Sequence, residues 1–263
     1  MKNNQNYKET WDIIWGKSNE LDLDAIKIEL ERTKKTGIWK NYTEIIKLKF
    51  GGWDKITSIE LGSGMGWHST VAASEGATVC LLDYSEQAIE LAKKRFELLG
   101  ISANFIHGDA FDIEKNKKTN YNLAWSFGTV EHFRGDLRQK FFDLHFNYIE
   151  KKGLVIISSP YKYAINYRIW MHYAELYKNW EFGLEIPYSK TEFLSRLKID
   201  RNKPVKIIYD EGRPCLKKAL NILKVNSRIK YLTIGTILKF FIKFKLKIPP
   251  FYFRSIILVA EKR

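Results

Sequence analysis

Apolar positions along this chain fall in short runs, and two periods alternate. Residues 56–59 (Ile-Thr-Ser-Ile) form an apolar run that predicts a buried strand, and residues 67–74 (Trp-His-Ser-Thr-Val-Ala-Ala-Ser) predict the first turns of a helix. Residues 78–83 (Thr-Val-Cys-Leu-Leu-Asp) predict a second strand that ends on a carboxylate. Ser85 then reads as an N-cap for a helix over 86–99, with apolar residues at helical spacing and Gly100 past its end. Residues 103–110 predict a third strand running into a loop. Further on, Ser189-Lys-Thr-Glu192 reads as a capping box opening a helix to about Leu197. Residues 1–50 read as helical and aromatic, with Trp11, Trp15, Trp39 and Tyr42. Strand–helix alternation over 56–160 predicts an α/β fold, a parallel sheet with helices on both faces.

The turn between the first strand and its helix is Glu60-Leu-Gly62-Ser63-Gly64-Met-Gly66. Glycines at alternate positions let the backbone turn sharply and let a ligand lie against it. The helix start behind them presents unpaired N–H groups. Such a turn suits a nucleoside-containing ligand. A dinucleotide fingerprint would be Gly-x-Gly-x-x-Gly, and Trp67 stands where its third glycine would fall. That disfavours an NAD or nucleotide-sugar enzyme.

The pattern Glu-x-Gly-x-Gly-x-Gly resembles the first motif of the class I S-adenosylmethionine-dependent methyltransferases. Other stretches resemble the same family in order. Residues 121–133 resemble its fourth strand and Glu-His signature, here Glu131-His132. Residues 153–160 resemble strand five, 204–209 strand six and 254–261 the last strand. The resemblance implies a Rossmann-like, seven-stranded, mostly parallel sheet with helices on both faces and an antiparallel last strand. It implies S-adenosyl-L-methionine as cofactor, held by Glu60, Gly62, Ser63, Gly64, Gly66, Asp83, Tyr84, Asp109, Ala110 and Ser126. By that likeness Glu60 anchors the glycine loop and the methionine end of the cofactor. Asp83 takes the ribose hydroxyls, Tyr84 packs on the adenine, Asp109 binds the adenine amino group, and Ser126 lies near the methionine amino group. An N-terminal helical cap over residues 1–50 is expected to precede a methyltransferase domain over 51–263. In many relatives such a segment closes over the cofactor. Trp11 or Trp15 would do so here, unless they only pack helices onto the sheet.

Methyl transfer from a sulfonium is an in-line displacement in which alignment of the acceptor dominates. For a hydroxyl acceptor His132 is the candidate base, with Glu131 beside it, because an unperturbed imidazole titrates near neutrality; the competing reading is that the pair only shapes its loop. Ubiquinone-pathway O-methyltransferases use Glu-x-x-Glu-His to bind a divalent ion. The first Glu of that pattern falls on Gly128 here, so no metal is expected. After strand four there is no Asn/Asp-Pro-Pro-Tyr sequence, which lowers the case for a DNA-base enzyme. Residues 161–188 follow strand five, outside the carboxyl ends of the strands where ligands of open α/β sheets bind. This aromatic stretch is expected to be a substrate lid, with Tyr161, Tyr163, Trp170 and His172 as candidate contacts and His172 as an alternative base.

Charge then changes the picture at one end only. Of the net +14, residues 213–263 contribute +12, from thirteen basic groups and one acidic. Within them an insert at 213–253 carries Leu232, Ile237, Phe240, Phe241 and Phe244 at roughly helical spacing among lysines. Two readings stay open: an amphipathic element on an anionic membrane surface, or a cap with lysines in solvent. A nucleic-acid patch ranks below both. Two cysteines, Cys80 and Cys215, form no disulfide framework or metal spacing, and the polar N-terminus lacks the apolar run of a secretion signal. The location expected is cytoplasmic, peripheral to a membrane if the insert binds one. The activity expected is methyl transfer to a small-molecule, lipid-like or glycan hydroxyl. The alternatives are a non-catalytic cofactor-binding or scaffold protein of the same fold, or an RNA methyltransferase using the basic C-terminal region. Nothing in the sequence sets the oligomeric state.

Overall fold

The computed structural model describes residues 4–16, 21–112, 121–176, 180–198, 200–211 and 253–263. Three helices come first: α1 (Asn4–Gly16), α2 (Leu23–Lys34) and α3 (Gly37–Phe50). A 3-10 turn at Trp53–Lys55 leads into β1 (Thr57–Leu61). Then follow α4 (Trp67–Ser74), β2 (Thr78–Asp83), α5 (Glu86–Leu99), β3 (Asn104–His107) and β4 (Tyr121–Phe127). After a second 3-10 turn at Val130–His132 come α6 (Gly135–Tyr148), β5 (Ile149–Pro160), α7 (Ile165–Leu176), α8 (Lys190–Arg196), β6 (Asn202–Glu211) and β7 (Phe253–Lys262).

The seven strands form one sheet in the order β3-β2-β1-β4-β5-β7-β6. The pairs linking β3, β2, β1, β4 and β5 are parallel, and β7 is antiparallel to both β5 and β6. This is the Rossmann-like sheet with an antiparallel last strand that the sequence leads one to expect.

Successive side chains of a strand point to opposite faces, and here both faces are dry. On β5, Val155 and Ile157 join one apolar core while Leu154 and Ile156 join the other. On β7, Ile256 and Leu258 alternate in the same way with Ile257 and Val259. Continuous apolar runs, rather than alternating ones, are what a sheet covered on both faces requires. One covering layer includes Trp39, Tyr42 and Ile46 of α3 with Ile26 and Leu30 of α2; the other includes Phe141 and Phe142 of α6 with Phe193 of α8.

Helix ends follow the side chains read from the sequence. The Ser85 hydroxyl accepts from Ala88 N, and Gly100 closes α5 at φ 64°. Ser189 accepts from Glu192 N, but only half of the expected capping box forms. The Glu192 carboxylate turns away to Arg138 Nε at 2.7 Å and Arg196 Nη2 at 2.8 Å. Strands β6 and β7 run longer than their apolar cores because polar ends also pair, as Asn202 does with Lys262.

The insert expected over 213–253 lies, apart from its last residue, outside the described residues, and so do the membrane-surface and nucleic-acid readings that rest on it. No helix among the described residues is long and apolar enough to cross a membrane.

Ile156 is fully buried at the centre of the sheet. Ile156→Ala should lower the unfolding free energy by about 2–5 kcal/mol in urea titrations followed by circular dichroism; a loss below about 1 kcal/mol would be inconsistent with a close-packed site.

Candidate active site

The turns leaving the carboxyl ends of the parallel strands carry the residues singled out in the sequence. Gly62, Gly64 and Gly66 all hold left-handed backbone, at φ 65°, 53° and 66°. A Cβ on Gly66 would stand 1.9 Å from a Leu81 methyl of β2, so only glycine lets the turn lie against its neighbouring strand. The turn is fixed there by Gly62 N and Ser63 N, which both donate to the Leu82 carbonyl at 2.9 and 3.1 Å. Below it, buried Arg95 of α5 donates to the Met65 carbonyl at 2.8 Å and lies over the Trp67 ring.

Asp83, at the end of β2, faces the turn. Its Oδ2 accepts from Gly64 N at 2.7 Å and its Oδ1 from Ser85 N at 2.9 Å. Burial nevertheless pushes its carboxyl up to about 6. Each carboxylate oxygen has a second lone pair, which leaves acceptor capacity for a ligand. Glu60 is buried beneath the turn, where its Oε2 accepts from Ser69 N at 3.2 Å and Ser69 Oγ at 2.5 Å. It ties α4 to β1, and desolvation raises it to about 7.

Helix α1 covers this edge. The Trp15 ring lies on Gly64, where a Cβ would come 2.6 Å from its Cζ2. Asp12 accepts from the Ser85 hydroxyl at 2.5 Å. Trp11 stacks on Trp15 and meets the His132 ring edge-on at 5.1 Å. A cavity of about 460 Å³ opens beside the turn, lined among others by Trp15, Glu60, Ser63, His68, Arg95 and Phe127. That is within the size range of small-ligand pockets. His68 lies flat on Phe127 at 3.5 Å and is held down to about 3 by burial, hence neutral.

The other expected cofactor residues lie along the same edge, in varied roles. Tyr84 is half-buried, and its carbonyl lies 3.2 Å from His107 Nε2. Asp109 is exposed and its Oδ1 accepts from Phe111 N. Ala110 is buried, and its carbonyl accepts from the Tyr148 hydroxyl at 3.0 Å. Ser126 is fully enclosed, 2.9 Å from His145 Nε2. His145 Nδ1 faces the Phe141 carbonyl at 3.0 Å, which needs a proton there, so Nε2 is the acceptor and Ser126 the donor. Its hydroxyl proton is thus committed within the core.

At the end of β4 the second 3-10 turn sets out Glu131 and His132. Segment 184–186 runs beside it: Ile186 N donates to the Glu131 carbonyl at 2.8 Å, and His132 Nδ1 donates to the Leu184 carbonyl at 2.7 Å. That bond leaves Nε2 as the acceptor nitrogen of the neutral ring. Burial pushes His132 below its ordinary value, against the pull of the Leu184 and Gly128 carbonyls. The same docking brings in Glu185, so that Glu131, His132 and Glu185 each offer a ligand atom within 4.8 Å of the others. The Tyr167 hydroxyl donates to Glu185 Oε2. Desolvation raises Glu131 well above the carboxylate range, with Glu185 adding to it, and raises Glu185 to about 6.

Of the four lid candidates, Trp170 belongs to an aromatic run that continues through Trp180 and Phe182 to Trp11. Tyr161 is buried against Tyr163 and Tyr209, Tyr163 is 57% exposed, and His172 is exposed on α7. The sequence reading missed Glu185, Tyr167, His145 and Arg95. Only Arg95 left a trace, a cation on the buried side of α5 with Ala88 and Ala92.

A family model for the methyltransferase domain matches residues 54–212. No curated protein matches the chain by sequence. Solved structures similar in fold include magnesium protoporphyrin IX methyltransferase from Synechocystis PCC 6803 with bound SAH. It is 13% identical, with 99% of this chain and 96% of that one covered and a TM-score of 0.58. Geranyl diphosphate C-methyltransferase from Streptomyces coelicolor A3(2), in complex with Mg2+, geranyl diphosphate and S-adenosyl-L-homocysteine, is 14% identical, with 98% of each chain covered and a TM-score of 0.57. The [4+2]-cyclase SpnF is 13% identical over 84% of this chain and 80% of that one, at a TM-score of 0.56.

Glu60 holds its proton up to about pH 7 in the fold, against 4.5 ordinarily. Between those values the folded chain binds the extra proton, so this group's contribution to stability is present at low pH and is lost as pH rises through the window. Glu60→Gln should make the slope of unfolding free energy against pH more positive there, by up to about 1.4 kcal/mol per pH unit. Urea titrations across the window measure it, and identical slopes would refute the shift.

Proposed function

Since the chain belongs to the methyltransferase-domain family, we propose that it transfers a methyl group from S-adenosyl-L-methionine to a small-molecule acceptor, lipid-like or glycan, at a hydroxyl oxygen. The observation that carries this reading is the closed glycine turn. Gly64, whose N–H is held by Asp83, lies under Trp15, while His132 lies under Trp11 of the same helix. One cover thus spans a nucleoside cradle and a neutral imidazole.

The cradle fits the cofactor on local grounds. Side chains at Gly64 and Gly66 would fill the space the turn needs, and Asp83 retains lone pairs toward a ribose. When bound, the cofactor supplies a methyl already activated by the sulfonium charge, for in-line displacement. The chain's own contribution is alignment, exclusion of water by the aromatic cover, and removal of a proton. Alignment alone is worth roughly 7–11 kcal/mol. His132 Nε2 is the proton acceptor, held in the right tautomer by the Leu184 carbonyl. Its lowered pKa keeps it unprotonated at neutral pH, and a positioned base contributes about 10²–10⁴-fold.

The [4+2]-cyclase with this fold gives weight to a second reading, a cofactor-binding protein of the same fold without methyl transfer. The two separate experimentally. Calorimetry should detect S-adenosylmethionine binding, weakened at least about tenfold in Asp83→Ala, a loss of about 1.4 kcal/mol or more. No binding by the intact chain would sink both readings. With an acceptor in hand, His132→Ala should lower kcat by about 10²–10⁴-fold while cofactor affinity stays close to that of the parent. Binding without product across a broad acceptor screen would favour the second reading.

A further inference from the structure

Glu131 presents an unusual situation. It is 1% exposed, and its Oε2 has no hydrogen-bond partner. A buried carboxylate oxygen without a donor is costly. Two cations nearby lower the charge penalty without meeting that atom. Arg138 and Arg254 both act on Glu131. Arg138, however, spends Nε on Glu192 and Nη1 on the Phe133 carbonyl and stacks on Tyr188 at 3.6 Å. Its own Nη2 is also unpartnered, so no hydrogen bond joins the two.

The neighbours of Glu131 are acceptors too. His132 carries its proton on Nδ1, for the Leu184 carbonyl, and its Nε2 lone pair is kept for the hydroxyl of the acceptor. Glu185 is oriented by the Tyr167 hydroxyl on Oε2. Two carboxylates on two backbone segments, Glu131 and Glu185, therefore converge beside the His132 imidazole, an oxygen of each within 4.8 Å of the other. We infer that this cluster binds the ammonium group of an amine-bearing acceptor molecule, such as an amino alcohol or amino sugar. The inference rests on reading the site as the acceptor site.

Geometry admits such an occupant. Acceptors placed tetrahedrally round an ammonium nitrogen, at hydrogen bonds of about 2.8–2.9 Å, stand about 4.6 Å apart. Two carboxylate oxygens no more than 4.8 Å apart can both accept from one such nitrogen. The surroundings suit an organic cation. Trp11 meets His132 edge-on, and Phe182 lies 6.3 Å from Trp11, so apolar rings stand close by for the carbon skeleton of an organic cation. A cation between two carboxylates that burial and mutual repulsion disfavour also restores their charged forms. The ammonium would be the anchor, and a hydroxyl elsewhere on the same molecule the methylated group.

Benzylamine, protonated at neutral pH, and benzyl alcohol, its uncharged analogue, probe this in the full-length chain saturated with S-adenosylmethionine. Calorimetry should show benzylamine binding at least tenfold more tightly than benzyl alcohol, a difference of about 1.4 kcal/mol. Glu185→Gln, at a half-buried position, should abolish that preference while cofactor binding persists, and Glu131→Gln should do the same if it folds. Equal affinities, or binding of neither probe by a chain that still binds the cofactor, would overturn the inference and leave the methyltransferase reading standing. Manganese chloride forms a further arm. Tight Mn2+ binding that Glu185→Gln removes, without the amine preference, would assign the cluster to a metal and likewise overturn the inference.

Discussion

The carboxylate of Asp83 is the hinge on which the edge of this sheet is assembled. One oxygen holds Gly64 N and so fixes the turn between β1 and α4; the other holds Ser85 N and so sets the start of α5. Ser85 in turn caps α5 and gives its hydroxyl proton to Asp12 of α1. Three helices therefore take their positions from one buried acid. Burial disfavours its charge, and the two N–H bonds oppose that penalty. The arrangement holds only because β1 and β2 are adjacent and parallel, in register from Thr57 with Thr78 to Leu61 with Leu82.

The glycine turn was legible in the sequence because it is local. Glu60 to Gly66 is one uninterrupted turn, and Asp83 ends the next strand, so spacing along the chain reports proximity in space. The helix over 86–99 was legible for a similar reason, since cap, apolar face and closing glycine all lie within it. What sequence could not show is what two distant segments make together. Glu185 joins Glu131 through a backbone pairing between residues 131 and 186, and nothing in the composition of 161–188 marks that residue. Gly128 argued against a metal triad within one motif, yet the position it leaves without an acid has a carboxylate nearby from elsewhere. Likewise Ser126 was read as a cofactor residue, but its partner His145, on α6, decides where its proton goes.

The two ends of the site also differ in physical character. Around the glycine turn, backbone N–H groups face the Asp83 carboxylate. Around Glu131 two carboxylates and an imidazole lie together, with Arg138 and Arg254 acting on Glu131 from nearby. The first end is complete within the chain. The second leaves one buried carboxylate oxygen, Glu131 Oε2, without a donor. Helix α1 touches both, through Trp15 and Trp11, so the cover over one end cannot lift by a large angle without disturbing the other.

The order of the strands has a consequence for how the molecule comes into being. β7 stands between β5 and β6 and, among the described residues, supplies the only pairing that β6 has in the sheet. Until residues beyond 252 have left the ribosome, β6 has no edge to join and the β5 edge is bare. Every residue of the glycine turn and of the Glu131, His132 and Glu185 cluster is synthesised before then. Chemistry in this chain thus precedes architecture: a nascent chain holds all its functional groups while the long-range contacts that fasten the sheet are still missing. Contacts of that sequence separation close late, and exposed edges invite association in the interval.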